Sequence, residues 1–247
     1  MTYRLEVCVE DAAGIAAAAS GGADRIELCS ALGIGGLTPP ASLIRAAAAA
    51  PLPVHLLCRP REGGFVCDAA DRALVADDMR GAAEAGLAGV VIGASRADGT
   101  LDTDTLAAWV ALARELGAAR GSALSLTLHR AFDLVPDMAA ALDDAIALGF
   151  DRVLTSGGAV KAVDGAAALA TLVERSAGRI GILAGSGVSP ATAPAILATG
   201  VRELHASCRR AVAQGDDTLV RFGFAAAQRM ETDASIVATL AQMVKSA

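Results

Sequence analysis

All three histidines of this chain and two of its glutamates fall within short apolar runs, where polar side chains are unusual. Imidazole and carboxylate groups in an apolar setting are the groups that enzymes use as general acids and bases. Packing alone explains such a set poorly, because burying an unpaired charge costs several kcal/mol. The candidate catalytic residues are therefore Glu6, Glu27, His55, His129 and His205.

Each of these residues also has a purely structural interpretation. A single histidine is more often a hydrogen-bonded core residue than a catalytic one, and Glu27 could pair with Arg59 as a buried ion pair. The catalytic interpretation is favoured because all five residues are explained together.

Two kinds of segment have the composition of an anion-binding rim. Arg59-Pro-Arg61-Glu-Gly-Gly64 places two guanidinium groups before flexible glycines, which suits a carboxylate or phosphate clamp. The Gly/Ser segments around Ser156, Gly157, Gly185 and Gly187 could present backbone N–H groups to a phosphate. A solvated loop and tight turns are the respective alternatives.

Two of the five cysteines suggest a different chemistry. If Cys8 and Cys29 project inward from neighbouring strands, whose separation is about 4.8 Å, their thiolates could bind a soft ion such as Cu(I), with a histidine or Cys208 nearby. Free cysteine is also a common small core residue. An odd number of widely spaced cysteines without a C-x-x-C pair indicates reduced thiols and a cytoplasmic protein.

A recurring phrase organises the elements that must position these residues. Four times a glycine closes an Ala-rich helical stretch and a strand follows three or four residues later, at residues 22–29, 86–93, 149–156 and 200–207. Further strand-like runs lie at residues 5–9, 53–59, 124–132 and 180–185. The predicted helices are residues 10–20, 40–50, 68–85, 102–116, 136–148, 164–176, 190–199 and 233–244.

About eight strands alternating with about eight helices predict an α/β fold, a single-domain TIM (β/α)8 barrel over residues 1–247. A doubly wound open sheet is the less favoured alternative. In a barrel, alternate strand residues face the lumen. The polar residues share one parity and the apolar ones, such as Leu5, Val7, Ile26 and Leu28, share the other. The acid–base candidates are therefore expected inside the barrel.

Composition excludes several partners. Net charge is −6 with 3% aromatic residues and no long basic run, so nucleic acid is an unfavoured partner. The long uncharged run at residues 180–201 contains four glycines and two prolines, which predicts strand, loop and helix rather than a membrane span.

The same segments carry a family resemblance. Gly-Ala-Asp-Arg-Ile-Glu-Leu-Cys29, Gly35-Gly-Leu-Thr-Pro39, Val54-His, Arg59-Pro-Arg61, His129-Arg-Ala-Phe-Asp133, Leu154-Thr-Ser-Gly157 and Glu203-Leu-His205 together resemble the CutC family, described as copper homeostasis proteins. The resemblance implies a TIM barrel, a cytoplasmic location, homodimers or higher homo-oligomers, and Cu(I) binding through cysteines. One loop departs from the family pattern, since Glu62-Gly-Gly-Phe65-Val-Cys67 replaces Gly-Gly-Asp-Phe-x-Tyr.

Two functions stay open at this point, beside the weaker possibility of a pure scaffold. A copper protein would use Cys8 and Cys29 as its metal ligands, with Cu(I) as its ion. An enzyme acting on a small anionic metabolite would use the acid–base candidates. Its predicted substrate-binding residues are Arg59, Arg61, Arg130, Asp133, Ser156, Gly157, Gly185 and Gly187.

Overall fold

The computed structural model describes residues 3–213 and 215–247. Eight parallel strands close into a barrel, with β8 hydrogen-bonded to β1, so the predicted TIM barrel is confirmed. The barrel strands are β1 (Arg4–Val9), β2 (Arg25–Leu28), β3 (Val54–Leu57), β4 (Gly89–Ile92), β5 (Ser125–Leu128), β6 (Arg152–Thr155), β7 (Gly181–Gly185) and β8 (Glu203–Ala206). Every one of them lies within a strand predicted from the sequence, allowing one residue at the start of β1.

Helices follow the strands and form the outer layer. They are α1 (Ala12–Ser20), α2 (Ala41–Ala47), α3 (Ala69–Glu84), α4 (Thr103–Ala119), α5 (Met138–Leu148), α6 (Ala166–Ser176), α7 (Ala193–Leu197), α8 (Asp217–Arg221) and α9 (Ala234–Lys245). All except α8 match predicted helices. Short 3-10 helices at Leu32–Ile34 and Arg130–Leu134 lie in the loops after β2 and β5.

Local sequence explains where the helices begin and end. Aspartates accept hydrogen bonds from first-turn amides at six helix starts of the described chain, which stabilises each start by about 1 kcal/mol; they are Asp11, Asp68, Asp102, Asp137, Asp216 and Asp233. The glycines of the recurring phrase, Gly22, Gly86, Gly149 and Gly200, all have the left-handed backbone that ends a helix.

The barrel strands separate the lumen from the hydrophobic core that lies between strands and helices. The outward-facing side chains, including Leu5, Val7, Ile26 and Leu28, are fully buried against the helices and form the main hydrophobic core. The inward-facing side chains are largely polar and fill the lumen. This alternation is the predicted one.

An antiparallel hairpin after β8 was not predicted. It consists of β9 (Arg209–Ala213) and β10 (Gln228–Thr232), with α8 between them. Its residues are mostly exposed, so the sequence there lacks the apolar alternation by which the barrel strands are recognised. The hairpin leads into α9, which packs against β1.

The long uncharged run at residues 180–201 divides as predicted. It contains β7, a turn and α7. In the described parts of the chain, no helix combines the length and the apolar character that crossing a membrane requires.

Close packing at Gly165 gives a test of the fold. A Cβ atom there would lie 2.0 Å from the backbone oxygen of Ser156, and backbone cannot yield as a flexible side chain does. We expect Gly165→Ala to lower the free energy of unfolding by about 1–3 kcal/mol, measured by urea denaturation. Gly81→Ala, within α3 three residues before its end and with open space around it, should instead raise it by about 0.5–1 kcal/mol. Equal effects in both variants would contradict this packing.

Candidate functional site

A pocket of about 420 Å³ opens at the carboxyl ends of the barrel strands. Its floor includes Cys8, Glu27 and His205, which come from β1, β2 and β8. Its rim arginines are Arg59, which follows β3, Arg130, which follows β5, and Arg209, which is the first residue of β9. Active sites of TIM barrels lie at this end of the barrel.

Three inward side chains form an acid–base row, Glu6–His205–Glu27, at and below the pocket floor. His205 Nδ1 lies 2.7 Å from Glu6 Oε1, and its Nε2 lies 3.6 Å from Glu27 Oε2. The row spans β8, β1 and β2, and Glu6 and His205 are register partners across the barrel closure. Both carboxylates are almost fully buried.

The environment separates the pKa values of the two carboxyl groups. Burial raises the pKa of a carboxyl, but Arg25 and His205 hold the pKa of Glu6 well below its ordinary value. Burial raises the pKa of Glu27, and His205 only partly offsets it. Burial also opposes charge on His205, yet Cys8, Glu27 and Glu6 together raise the pKa of this imidazole well above its usual range. Carboxyl groups separated in this way can take different roles in one reaction.

A second polar layer lies beneath the row. Arg25 donates to Glu6 and, over 2.7 Å, to Glu203. Arg152 donates to the hydroxyls of Ser125 and Thr127 and approaches Glu203 at 3.4 Å. These contacts pair the buried charges with one another, as burial requires.

Gly89 in β4 and Gly93 directly after it leave space for two histidine rings. A Cβ on Gly89 would lie 2.8 Å from His55 Nε2, and a Cβ on Gly93 would lie 2.3 Å from His129 Cε1. Both histidines point inward and are buried, as predicted. His55 does not line the pocket, and its Nδ1 has no hydrogen-bond partner in the described residues.

His129 reaches the pocket as a neutral ring. Burial, with the nearby Arg59, lowers the pKa of His129 to about 4. Its Nδ1 accepts a hydrogen bond from the Ala131 amide at 3.1 Å, so Nε2 carries the proton. His129 is therefore a hydrogen-bond donor to the pocket.

The two arginines of the predicted clamp point in different directions. Arg59 lines the pocket and does not pair with Glu27; its guanidinium donates to the carbonyls of Ile34, Gly36 and Gly63. Arg61 turns away from the pocket and pairs with Asp71 at 2.7 Å.

Some of the other predicted substrate-binding residues line the pocket, and the rest lie behind its wall. Arg130 and Gly187 line the pocket, whereas Gly185 lies within β7 beneath it. Asp133 organises the loop after β6, accepting hydrogen bonds from the Thr155 hydroxyl and the Ser156 amide. Ser156 is fully buried, and a Cβ on Gly157 would meet the backbone of the following helix start, so these two residues lie behind the pocket wall.

The cysteines predicted as possible metal ligands differ in their access to the pocket. Cys8 lines the pocket, and its sulfur lies with a Glu27 oxygen and a His205 nitrogen in a group whose atoms are all within 4.8 Å of one another. Cys29 is fully buried beside Cys8, and its thiol lies 3.4 Å from Glu27 Oε2. Burial, with Glu27, raises the pKa of Cys29 well above its usual range. Cys208 belongs to the main core outside the lumen.

Three lumen residues were missed in the sequence, namely Arg25, Arg152 and Glu203. Each stands third after the glycine of its phrase, while the fifth and seventh positions were recognised as inward. Third, fifth and seventh positions share one face of a strand, so the alternation could have found them. The third position, however, lies at the edge of the apolar run.

The fold and the pocket define a TIM-barrel protein with a buried acid–base site beneath an arginine rim. The chain belongs to the CutC family, whose model matches residues 3–210. CutC proteins of Sinorhizobium medicae and Caulobacter vibrioides are 50% and 46% identical over 232 and 245 residues. The matches cover 94% and 98% of this chain and 91% and 97% of those proteins.

Solved structures agree with this assignment. The crystal structure of CutC from Streptococcus agalactiae, a protein named for copper homeostasis, is 28% identical with a TM-score of 0.74, covering 83% of this chain and 99% of that one. Thiamine phosphate pyrophosphorylase from Pyrococcus furiosus, at 14% identity and a TM-score of 0.59, covers 99% of this chain and 96% of its own. That second likeness concerns the fold alone.

Buried His55 predicts a pH dependence of stability. Burial lowers its pKa to about 3, so the folded protein keeps it neutral while the unfolded chain binds a proton below its ordinary value of 6.5. The free energy of unfolding should therefore fall as the pH drops from 6.5 towards 3, by up to about 1.4 kcal/mol per pH unit from this residue. His129 contributes in the same direction.

Urea denaturation at pH 6.5 and pH 4.5 measures this dependence. Between these two pH values, His55→Gln should show a mean slope smaller than that of the unsubstituted protein by about 1.2 kcal/mol per pH unit, because every other titrating group is common to both. Parallel slopes would show that His55 ionises equally in the folded and unfolded states.

Proposed function

We propose that this chain is an enzyme that transfers protons to and from a small anionic metabolite bound at the mouth of the barrel. The observation that carries the proposal is the acid–base row, in which one imidazole lies between two buried carboxyl groups at the pocket floor. General acid–base catalysis needs a proton acceptor and a proton donor within reach of one substrate, and carboxyl and imidazole groups can serve as both.

The row suggests a role for each member. Glu6 is held ionised by Arg25 and His205, so it orients His205 through Nδ1 and stabilises the charged imidazole. Glu27 lines the pocket, and burial moves the pKa of its carboxyl upwards, which favours proton exchange with a substrate. His205 Nε2 faces Glu27 and is placed to return a proton to the same substrate.

The charge of the pocket favours an anionic substrate. Among its described lining residues, Glu27 is the single acid, against the three rim arginines. Guanidinium groups bind carboxylate and phosphate oxygens with charge-assisted hydrogen bonds. A pocket of about 420 Å³ suits a small metabolite.

A second candidate function is the handling of Cu(I) as cargo. It is supported by the cluster of Cys8, Glu27 and His205 and by the copper homeostasis name of the Streptococcus agalactiae relative. Thiolate and imidazole are suitable ligands for Cu(I). The pair predicted from the sequence, Cys8 and Cys29, is the alternative ligand set, since the two cysteines are neighbours in one small cluster.

Deuterium incorporation tests the proton-transfer proposal without a known substrate. The protein is incubated in D2O with a mixture of small phosphorylated and carboxylated metabolites, and mass spectrometry follows the exchange of carbon-bound hydrogen. We expect incorporation into at least one metabolite, slowed about 10²–10⁴-fold by Glu27→Gln, because the variant cannot accept the proton.

Cys67→Ser is the matched control, since Cys67 lies outside the pocket and should exchange at the normal rate. If the protein catalyses no exchange, or if Glu27→Gln exchanges as fast as the unsubstituted chain, the proposal is wrong.

Anaerobic competition titration with a chromophoric Cu(I) chelator tests the second candidate. Cargo bound at Cys8, Glu27 and His205 should lose about tenfold or more in affinity in Cys8→Ser, while Cys29→Ser changes it little. Similar losses in both variants would support the paired thiols instead. If neither substitution alters the affinity, copper does not bind in this pocket.

A further inference from the structure

We propose that Arg59 and His129 form the subsite for the anionic group of the substrate, a carboxylate or a phosphate. This inference rests on the proposed function and adds where the anion binds. His129 follows β5, which is four strands from β1 in a closed barrel of eight, whereas Arg59 follows β3, which pairs with β2. The anion would thus lie between the ends of β3 and β5, beside the acid–base row at Arg59 and opposite β1 at His129.

Arg59 is a fixed cation that pairs with no carboxylate among the described residues. Its guanidinium donates to the carbonyl oxygens of Ile34, Gly36 and Gly63 at 3.1, 2.8 and 2.9 Å, and it lies over the Phe65 ring at 5.3 Å. Carbonyls and an aromatic face hold the group in place without neutralising it. Across the described residues, no carboxylate comes within ion-pair distance of Arg59.

The other arginines of this region are already paired. Arg61 pairs with Asp71, Arg130 with Asp133 at 2.6 Å, and Arg209 with Glu10 at 2.9 Å. A substrate anion near those groups would compete with a carboxylate of the protein. Near Arg59 it would meet an uncompensated charge, so Arg59 is the preferred partner.

His129 adds a neutral donor beside that charge. Its ring packs on Phe65 with a centroid separation of 4.8 Å, so Phe65 contacts both members of the subsite. Because Nδ1 accepts from the Ala131 amide, the proton on Nε2 remains for a ligand in the pocket. The pKa of about 4 keeps His129 uncharged at neutral pH, and it therefore serves as a donor rather than a base.

The arrangement orients the substrate. Its anionic group would bind on the β3 and β5 side, and its reacting atom would lie over Glu27 and His205 on the β8, β1 and β2 side. A rigid clamp at one end places the other end for reaction, which is how binding groups contribute to rate.

Isothermal titration calorimetry with inorganic phosphate and, separately, with malonate tests the subsite at low ionic strength. We expect Arg59→Met to weaken binding of the preferred anion at least about tenfold, because a charge-assisted contact is lost. Arg80→Met removes an exposed guanidinium that pairs with Asp77 on α3 outside the pocket, so it is the control and should bind within about twofold of the unsubstituted chain. Comparing the two anions decides between phosphate and carboxylate.

Two milder variants keep the test decisive if Arg59→Met does not fold. Arg59→Lys retains the charge but loses the planar fork, and His129→Gln retains a donor but not the ring on Phe65; each should weaken the preferred anion several-fold. Binding of neither anion, or equal losses in the Arg59 and Arg80 variants, would overturn the subsite.

The subsite and the proton-transfer proposal can fail separately. Glu27→Gln should bind the anion with unchanged or higher affinity, since it removes a negative charge and leaves the clamp intact. Anion binding without deuterium exchange would keep the subsite and contradict the enzyme. Exchange that persists unchanged in Arg59→Met would keep the enzyme and contradict the subsite.

Discussion

The carboxylate of Glu6 is the buried charge on which the barrel interior depends. It is bound by Arg25 from β2 and by His205 from β8, so one side chain joins the two strands that flank β1 at the closure of the barrel. Side chains alternate along a strand, and a slip of one residue in either pairing would turn these groups out of the lumen. A buried carboxylate that loses its partners costs several kcal/mol. Register, closure and the candidate site are therefore fixed by the same contacts.

Small residues on β4 and β7 make room for this polar interior. Gly89 in β4, Gly93 directly after β4 and Gly185 in β7 are such residues, where a Cβ would meet His55, His129 and Leu154, respectively. The neighbouring strands can then carry imidazole and guanidinium side chains that a lumen lined evenly with Val and Leu could not hold. The lower layer is filled by Arg25, Arg152 and Glu203, whereas the candidate pocket opens at the carboxyl ends of the strands.

The sequence predicted the backbone better than the partners of each side chain. Glycine after a helix and alternation along a strand are local signals, so the eight strands and the inward parity of Glu27 and His205 could be read directly. Partners are decided by the reach of long side chains. Glu27 contacts Cys29 and His205 rather than Arg59. Arg61 does not join the predicted clamp, because it pairs with Asp71 in the first turn of α3. The exposed hairpin after β8 carries neither local signal.

The acid–base row also bears on the choice between the two candidate functions, because both need the same atoms. A metal bound by His205 needs the lone pair of an unprotonated ring nitrogen, and thiol ligands must lose their protons as well. Here burial disfavours the charged imidazole, but Cys8, Glu27 and Glu6 together outweigh it and hold the pKa of His205 well above its usual range. An ion entering the cluster of Cys8, Glu27 and His205 must displace that proton and then share a buried space with two carboxyl groups. Proton transfer uses the charge that the network stabilises, whereas metal binding has to work against it.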